Sequence, residues 1–501
     1  MANEIELKLS LPEEEQRLLL RQALLKKAHS RQTQQLVNIY YDSPSLSLHE
    51  RGIALRLRKQ GRTWLQTVKC AGSSAAGLTR RPEWETPYAG HFDFSAVDDP
   101  EVRRQLQRPS LFKNLTPLFE TSFRRTTWRF EPAAGSVFHL MLDRGWVASS
   151  GRRETISEVE IELESGDVNE IFKIAQTLAE RLVLVPNIFS KAERGYRLYQ
   201  NSRPAPVKFR PVPLGADCPP LDAFRHIAFA CLEHQRSNLE GVLESDDPEF
   251  IHQMRVATRQ LRAAMRLFAP RLPGNFCDEL LPPLRQLMDR LGRARDLDVL
   301  LAEIAMPVMH ALPAEPRLAA LVGAVTDRQY SAREAAVHYL RSAAYGRLML
   351  MASAILHRPP FGEPEAGDTI AAFASDRLRR LRKKVRELAD AASTEEPASL
   401  HRLRIAIKRL RYALEFFTPL CSAKPLQKLL RSLGVLQEEL GQLNDLANAG
   451  VLLMHCAGED PRLREAVALV GGWHASRHRD LLAKVPKRLM ELRRLHLPNL
   501  G

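Results

Sequence analysis

Arg203-Pro-Ala-Pro-Val-Lys-Phe-Arg-Pro-Val-Pro-Leu-Gly-Ala-Asp-Cys-Pro-Pro220 divides the chain. Its six prolines in eighteen residues have no amide proton to donate and hold φ fixed, so the segment cannot lie inside a helix or a central strand. It reads as a semi-rigid linker over 203–217 between domains 1–202 and 218–501. The texture changes across it. On the N-terminal side short segments alternate: Ile5, Leu7 and Leu9 against Glu4, Glu6 and Lys8; Val159, Ile161 and Leu163 against Glu158, Glu160 and Glu162. A period of two predicts strands. On the C-terminal side long Leu/Ala/Arg-rich segments with helical spacing predict helices.

The chain has 501 residues, 45% hydrophobic and 26% charged, enough to bury sizeable cores in two to four domains at about 150 residues each. No apolar run approaches the roughly 18 residues of a membrane span. Met1-Ala2-Asn3-Glu4 lacks the basic start of a signal peptide. The six cysteines stand singly, which supports neither a zinc ribbon nor a disulfide framework. The expectation is a cytoplasmic protein with no membrane contact. Net charge is +14, of which residues 1–200 carry +4 and 201–501 carry +10. Such an excess points to a polyanionic partner. Aromatics are only 7% of the chain, so the stacking platforms that grip single-stranded nucleic acid are scarce, and a ligand held by its phosphates alone is favoured over nucleic acid.

The basic half repeats itself. His252-Gln-Met-Arg255-Val-Ala-Thr-Arg259-Gln-Leu-Arg262 returns as His401-Arg-Leu-Arg404-Ile-Ala-Ile-Lys408-Arg-Leu-Arg411, an offset of 149 residues. The offset also relates Phe224 to Phe373, Leu291-Gly292 to Leu440-Gly441, and Asp296 to Asp445. Two copies of one helical unit, about 218–365 and 366–501, are expected. On a helix, His252, Arg255, Arg259 and Arg262 fall within an arc of about 80°, opposite the apolar seam of Met254, Ala257, Leu261 and Met265. His401, Arg404, Lys408 and Arg411 do the same in the second copy. A spanning anion relieves the repulsion along such a stripe and adds charge-assisted hydrogen bonds. A solvated helix face is the alternative for any one stripe, and the duplication weighs against it. A His-plus-carboxylate metal site (His252 with Asp296, His401 with Asp445) lacks close ligand spacing. Glu415 stands where the first copy has Arg266, which shortens the second stripe.

The strands sort their charges by sign. Glu4, Glu6 and Lys8 share a face, as do Arg56 and Arg58, then Glu83 and Glu85, then Glu158, Glu160 and Glu162. Lys69, Arg125, Asp143 and Lys191 lie on neighbouring segments. Carboxylates two apart raise one another's pKa unless a cation sits among them, and oxygen-only ligands suit Mg²⁺ or Mn²⁺ rather than zinc. Guanidinium and ammonium groups with a divalent ion are the equipment of phosphoryl chemistry. An ordinary sheet with its charges in solvent gives the same alternation, and the residues alone leave both readings open.

Two resemblances decide between them. The paired His-x-x-Arg helices and Leu-Gly-x-x-x-Asp echoes resemble the CHAD (conserved histidine α-helical) domain over about 218–495. That resemblance implies two pseudo-twofold-related four-helix bundles with a basic groove for inorganic polyphosphate, carried by His252, Arg255, Arg259, Arg262, His401, Arg404, Lys408 and Arg411. Glu4-Ile-Glu-Leu-Lys8, Leu55-Arg56-Leu-Arg58, Lys69, Glu83-Trp-Glu85, Leu142-Asp143-Arg-Gly145, Glu158-Val-Glu-Ile-Glu162 and Ser190-Lys191 resemble, in order, the CYTH superfamily of triphosphate tunnel metalloenzymes. That second resemblance implies a multidomain α+β chain whose N-terminal part is an eight-stranded antiparallel tunnel barrel. By carry-over Glu4, Glu6, Glu160 and Glu162 ligate Mg²⁺ or Mn²⁺, with Glu158 a further candidate. Lys8, Arg56, Arg58, Lys69, Arg125 and Lys191 hold the triphosphate; Glu83, Glu85 and Asp143 support those cations. Lys8, Arg56, Arg58 and Glu162 act in catalysis, Glu162 helping to take a proton from water. The pairing resembles bacterial inorganic triphosphatases, so the expected reaction is hydrolysis of tripolyphosphate to pyrophosphate and phosphate, with association to polyphosphate granules. The alternatives are a non-catalytic polyphosphate-binding scaffold and an enzyme of nucleotide or thiamine triphosphates. The sequence carries no signal for oligomeric state.

Overall fold

The structure, a computed structural model, describes residues 2–70, 72–75, 78–132, 135–187, 189–358, 367–494 and 496–499; the side chains of 2–4, 73–75, 80 and 81 fall outside that description. The chain forms two compact units, one of residues 1–205 with 341–358, the other of 206–340 with 359–501.

Among the described residues the first unit is built on ten strands: β1 (Ala2–Ser10), β2 (Ser30–Asp42), β3 (Ile53–Gln60), β4 (Thr63–Cys70), β5 (Ser73–Ala75), β6 (Leu78–Pro87), β7 (Thr116–Phe130), β8 (Val137–Ser149), β9 (Arg152–Ser165) and β10 (Val185–Pro186). Eight of them pair antiparallel in the cyclic order β1-β9-β8-β7-β2-β3-β4-β6, and β6 returns to β1. Closure depends on β1 serving two neighbours: Ala2–Leu7 pairs with β6 while Ile5–Ser10 pairs with β9. A closed ring leaves no open sheet edge. The eight-stranded antiparallel barrel expected from the sequence is therefore present.

The barrel buries both faces of its strands. Leu7, Leu9, Leu140, Leu142, Val159 and Ile161 form a cluster with Phe172, Leu178, Leu182 and Leu350, which lie on or beside the helices Val168–Ala179 and Ala343–His357. Apolar side chains thus point outward under helices. Each buried Leu contributes about 1.5–3 kcal/mol. The alternate positions point inward and are charged. Glu6, Lys8, Arg56, Asp143, Glu158 and Glu160 are all at most 7% exposed, so the ordinary half-exposed sheet is not what forms.

The second unit is helical and keeps the repeat. The helices Pro220–Ser237, Pro248–Phe268, Phe276–Val299 and Pro316–Leu340 are matched in order by Ile370–Asp390, Pro397–Phe416, Ala423–Ala457 and Pro461–Arg493. Pro248 and Pro397 begin their helices at the 149-residue offset because proline is preorganised for the first helical turn. The sequence assigns 341–358 to the first repeat; in the structure this stretch packs in the barrel unit. Among the described residues no helix is long and apolar enough to cross a membrane.

Candidate functional site

The barrel lumen gathers two sets of charge. On one wall, β1 and β9 pair so that Lys8 faces Glu160 and Glu6 faces Glu162. On β8 Asp143 lies opposite Glu158, and on β7 Arg125 lies opposite Asp143. Arg125 grips Asp143 with both arms, Nε to Oδ1 at 2.7 Å and Nη2 to Oδ2 at 2.6 Å, and donates to Glu160 as well. Lys191, the first residue of the helix Lys191–Gln200, whose N-cap is Ser190, places Nζ 2.6 Å from Asp143 and 2.9 Å from Glu160, and also binds Glu158. Lys8 Nζ is 2.9 Å from Glu6 and 4.0 Å from Glu160. Gly145 concedes its lumen-side space to Phe123, since a Cβ there would lie 2.1 Å from Ser122 O and 2.5 Å from Phe123 Cβ. Both Arg125 and Lys191 lie over the Phe123 ring.

The other wall is basic. Arg56 and Arg58 on β3 stand beside Lys69 on β4, and the carboxylates of β6 brace all three. Lys69 is 2.6 Å and Arg56 3.4 Å from Glu83, and Arg58 is 3.5 Å from Glu85. Asn38 orients Arg58, accepting from its Nε at 3.0 Å, and is itself held by Thr121.

Charge interactions cross the lumen. Burial lowers the Arg58 pKa to about 10, helped by repulsion from Arg56 on its own strand and from Arg125 across the lumen. Burial alone would raise Glu160, but Lys191, Arg125 and Lys8 outweigh it and hold the carboxyl well below the usual range. Glu158 is raised: burial wins over the pull of Lys191, and Glu160 adds repulsion.

Among the described residues, Asp143, Glu158 and Glu160 can bring ligand oxygens within 4.8 Å of one another, and the Lys191 ammonium already sits among them. The donor set is all oxygen, in keeping with a hard divalent ion. Of the sequence-derived ligands, Glu6, Glu158 and Glu160 are buried and Glu162 half-buried along this wall. The Glu4 side chain lies outside the described residues.

Sequence reasoning missed Tyr40. Its ring stacks on Phe119 at 4.5 Å, and burial, which would raise its phenol, is outweighed by Arg56, Arg58 and Lys69, so its pKa falls. Asn38, Thr67, Thr121 and Arg194 were missed as well. Thr67 donates to Glu85, and Arg194 of the Lys191 helix reaches Glu158 at 3.6 Å. Asn38 and Tyr40 do share the inward phase of β2, a signal readable only once the lumen is known to be polar.

In the second unit the two basic stripes converge. Arg404 feels repulsion from Arg259 and Arg255, and burial with Arg404, Arg259 and Arg255 pushes Lys408 down to about 7. Arg255 donates to Gly292 O at 2.8 Å and Asp296 at 2.9 Å. A Cβ on Gly292 would lie 3.0 Å from Arg255 Nη1, whereas at its counterpart Gly441 the nearest atom, Arg404 Nε, would be 3.9 Å away. His252 is lowered to about 4, first by burial and then by Arg295; its counterpart His401 instead meets Asn444 Oδ1 at 2.8 Å. Arg259 Nε donates to the Tyr412 hydroxyl at 3.2 Å. Arg262 and Arg411 flank the cluster half-buried, Arg411 pairing with Glu415 at 3.2 Å.

Comparison with known proteins agrees with this layout. The CYTH domain family model matches residues 2–196 and the CHAD domain family model residues 226–453. An inorganic triphosphatase of Haemophilus influenzae is 32% identical over 166 residues, covering 32% of this chain and 46% of that protein. The chain thus spans less than half the length of that relative. An uncharacterized protein of Mycobacterium tuberculosis is 26% identical over 409 residues, 76% of this chain and 75% of that one. The crystal structure of the CHAD domain from the plant Ricinus communis superposes with a TM-score of 0.53 at 36% identity, covering 59% of this chain and 99% of that domain. The chain joins a CYTH domain to a CHAD domain.

Proposed function

We propose that the barrel hydrolyses inorganic tripolyphosphate to pyrophosphate and phosphate, and that the helical unit binds inorganic polyphosphate. The observation that carries the first part is the burial of Glu160 among Lys191, Arg125 and Lys8 in a lumen whose opposite wall holds Arg56, Arg58 and Lys69. Opposed acidic and basic walls suit a metal–triphosphate complex, the cation meeting the carboxylates and the phosphate oxygens meeting the basic groups. Lys8, Arg56, Arg58, Lys69, Arg125 and Lys191 bind the non-bridging oxygens. Glu83, Glu85 and Asp143 fix the directions of those cations. Glu4, Glu6, Glu160 and Glu162 would hold the divalent ion, Mg²⁺ or Mn²⁺, which supplies charge neutralisation and Lewis acidity when bound. Glu162 takes a proton from the water that attacks the terminal phosphorus; as that P–O bond forms, the bond to the bridging oxygen breaks and pyrophosphate leaves.

The test is a substrate panel with Mg²⁺ and Mn²⁺: tripolyphosphate, ATP, thiamine triphosphate and long-chain polyphosphate. Tripolyphosphate turnover is expected to exceed the others. Glu4→Ala, Glu6→Ala and Lys8→Ala are each expected to abolish phosphate release while the chain stays folded. Full activity in all three overturns the mechanism. Tight polyphosphate binding with negligible turnover of every triphosphate selects the scaffold reading, and preference for ATP or thiamine triphosphate selects the organic-substrate one.

The converged stripes support the second part, and they predict a proton signature. Lys408 is held down to about 7 by burial and by Arg404, Arg259 and Arg255, against the pull of Asp445. A polyanion laid across these groups reverses the repulsion and returns Lys408 toward its ordinary value. Binding at pH 8 is therefore expected to take up a proton, read as a dependence of the calorimetric heat on buffer ionisation enthalpy. Affinity should fall as pH rises above 7. Lys408→Met should erase the uptake. The reading favours a protein of the cytoplasm, placed at polyphosphate granules.

A further inference from the structure

The helix Ala343–His357 is out of place in the helical repeat. As part of residues 341–358 it packs with the barrel unit, whereas the repeat helices before and after it in the chain belong to the helical unit. Its sequence is apolar nearly all round, with Arg347 its only Arg, Lys, Asp or Glu, which is the pattern of a helix buried on most sides. The side it buries belongs to the barrel unit. Leu350, fully buried, and Ala354 join Phe172, Leu178, Leu182 and Leu184 in one core cluster. Arg347 donates to Ala179 O at 3.3 Å, at the end of the helix Val168–Ala179. His357 lies against Phe172, ring centroids 5.1 Å apart. The backbones approach closely at Gly346, where a Cβ would lie 2.2 Å from the carbonyl oxygen of Leu184.

Leu184 leads directly into the lumen. The next two residues form β10, which pairs with Leu9 and Ser10 of β1. Asn187 N then donates to Lys8 O at 2.8 Å, and its side chain accepts from Phe189 N just ahead of the Ser190 cap and Lys191. Residues 184–187 therefore pin the backbone of Lys8, 189–191 carry the cap and Lys191, and Gly346 presses on the start of the first stretch.

We propose that the helix 343–357 is a positioning element for the lumen: through Leu184 and β10 it fixes Lys8 and Lys191 where they meet the anionic ligand. In chain order the helix stands between 206–340 and 359–501, the residues of the helical unit. Only the ligand-binding arm of the test below rests on the triphosphate reading; the exchange arm stands without it.

The experiment uses the full chain with Gly346→Ala, Gly346→Leu and Leu350→Ala, measuring amide hydrogen exchange and tripolyphosphate affinity by calorimetry. Exchange over 183–191 is expected to accelerate at least tenfold in Gly346→Leu, while β7 and β8 stay within twofold of wild type. If Gly346→Leu fails to fold, Gly346→Ala and Leu350→Ala carry the same expectation at about threefold. Unchanged protection over 183–191 in the folded variants overturns the proposal. Tripolyphosphate affinity is expected to fall about tenfold in Gly346→Leu, or about threefold in the two milder variants, and the loss should shrink markedly in a Lys191→Ala background. A loss of equal size in both backgrounds means a merely structural role and also overturns it. A wild-type chain that binds no tripolyphosphate sinks the triphosphate reading, and the exchange result still judges the helix.

Discussion

Arg125→Ala is expected to lower tripolyphosphate turnover by at least a factor of about 10²–10³, the usual cost of removing one preorganised donor from a phosphoryl or acyl transition state. It is also expected to destabilise the barrel by about 3–5 kcal/mol, because it breaks a buried ion pair from one side. Both effects follow from one geometry. Arg125 spans Asp143 and Glu160, and Asp143 has no exposure at all. Without the guanidinium, Asp143 retains Lys191 as its charged partner, and Lys191 must also serve Glu158 and Glu160. Arg125→Lys restores the charge but not the two-armed grip. It should recover part of the stability and little of the turnover. Steady-state rates and thermal melts on the three proteins make the measurement. Turnover within threefold of wild type for Arg125→Ala removes the lumen from the reaction.

What was legible beforehand divides along physical lines. The barrel was readable because β strands alternate strictly, and Ile5/Leu7/Leu9 against Glu4/Glu6/Lys8 leaves no doubt about phase. Which phase faces inward was not readable from alternation, since a solvated sheet shows the same pattern; the family motifs supplied that choice, and the outer helices explain it by covering Leu7, Leu9, Val159 and Ile161. The helical stripes were readable from the exact offset of His252 and His401. Tyr40 and Asn38 escaped notice because neither is charged, and their environment is created by Arg56, Arg58 and Lys69 from other strands. The position of the helix 343–357 was equally hidden. Its apolar sequence announces burial but does not say against what, and a segment flanked by repeat helices gives no local sign that it packs with strands more than 150 residues earlier.

Removing Arg259 and Lys408 together should cost affinity and gain stability, an opposite pair of signs that a passive surface would not give. Among the described residues neither is in an ion pair, though Arg259 donates to Tyr412; burial and repulsion from cations that include Arg259 lower both Arg404 and Lys408. Each charge-assisted contact to a phosphate contributes about 1.5–3 kcal/mol, so Arg259→Ala with Lys408→Ala should weaken long-chain polyphosphate binding by roughly 10²–10⁴. The logarithmic salt dependence of binding should flatten by about one to two, because fewer counterions are released. Relief of like-charge repulsion at a few tenths of a kcal/mol per pair should raise the melting temperature by about 1–3 °C. His401→Ala provides the contrast, because its partner is the neutral Asn444: a loss of affinity there should come without any gain in stability. Affinity unchanged in the double variant returns the stripe to solvent as an ordinary basic helix face. Affinity lost together with stability shows instead that Arg259 and Lys408 hold the helices in place, and that the ligand was lost with the fold.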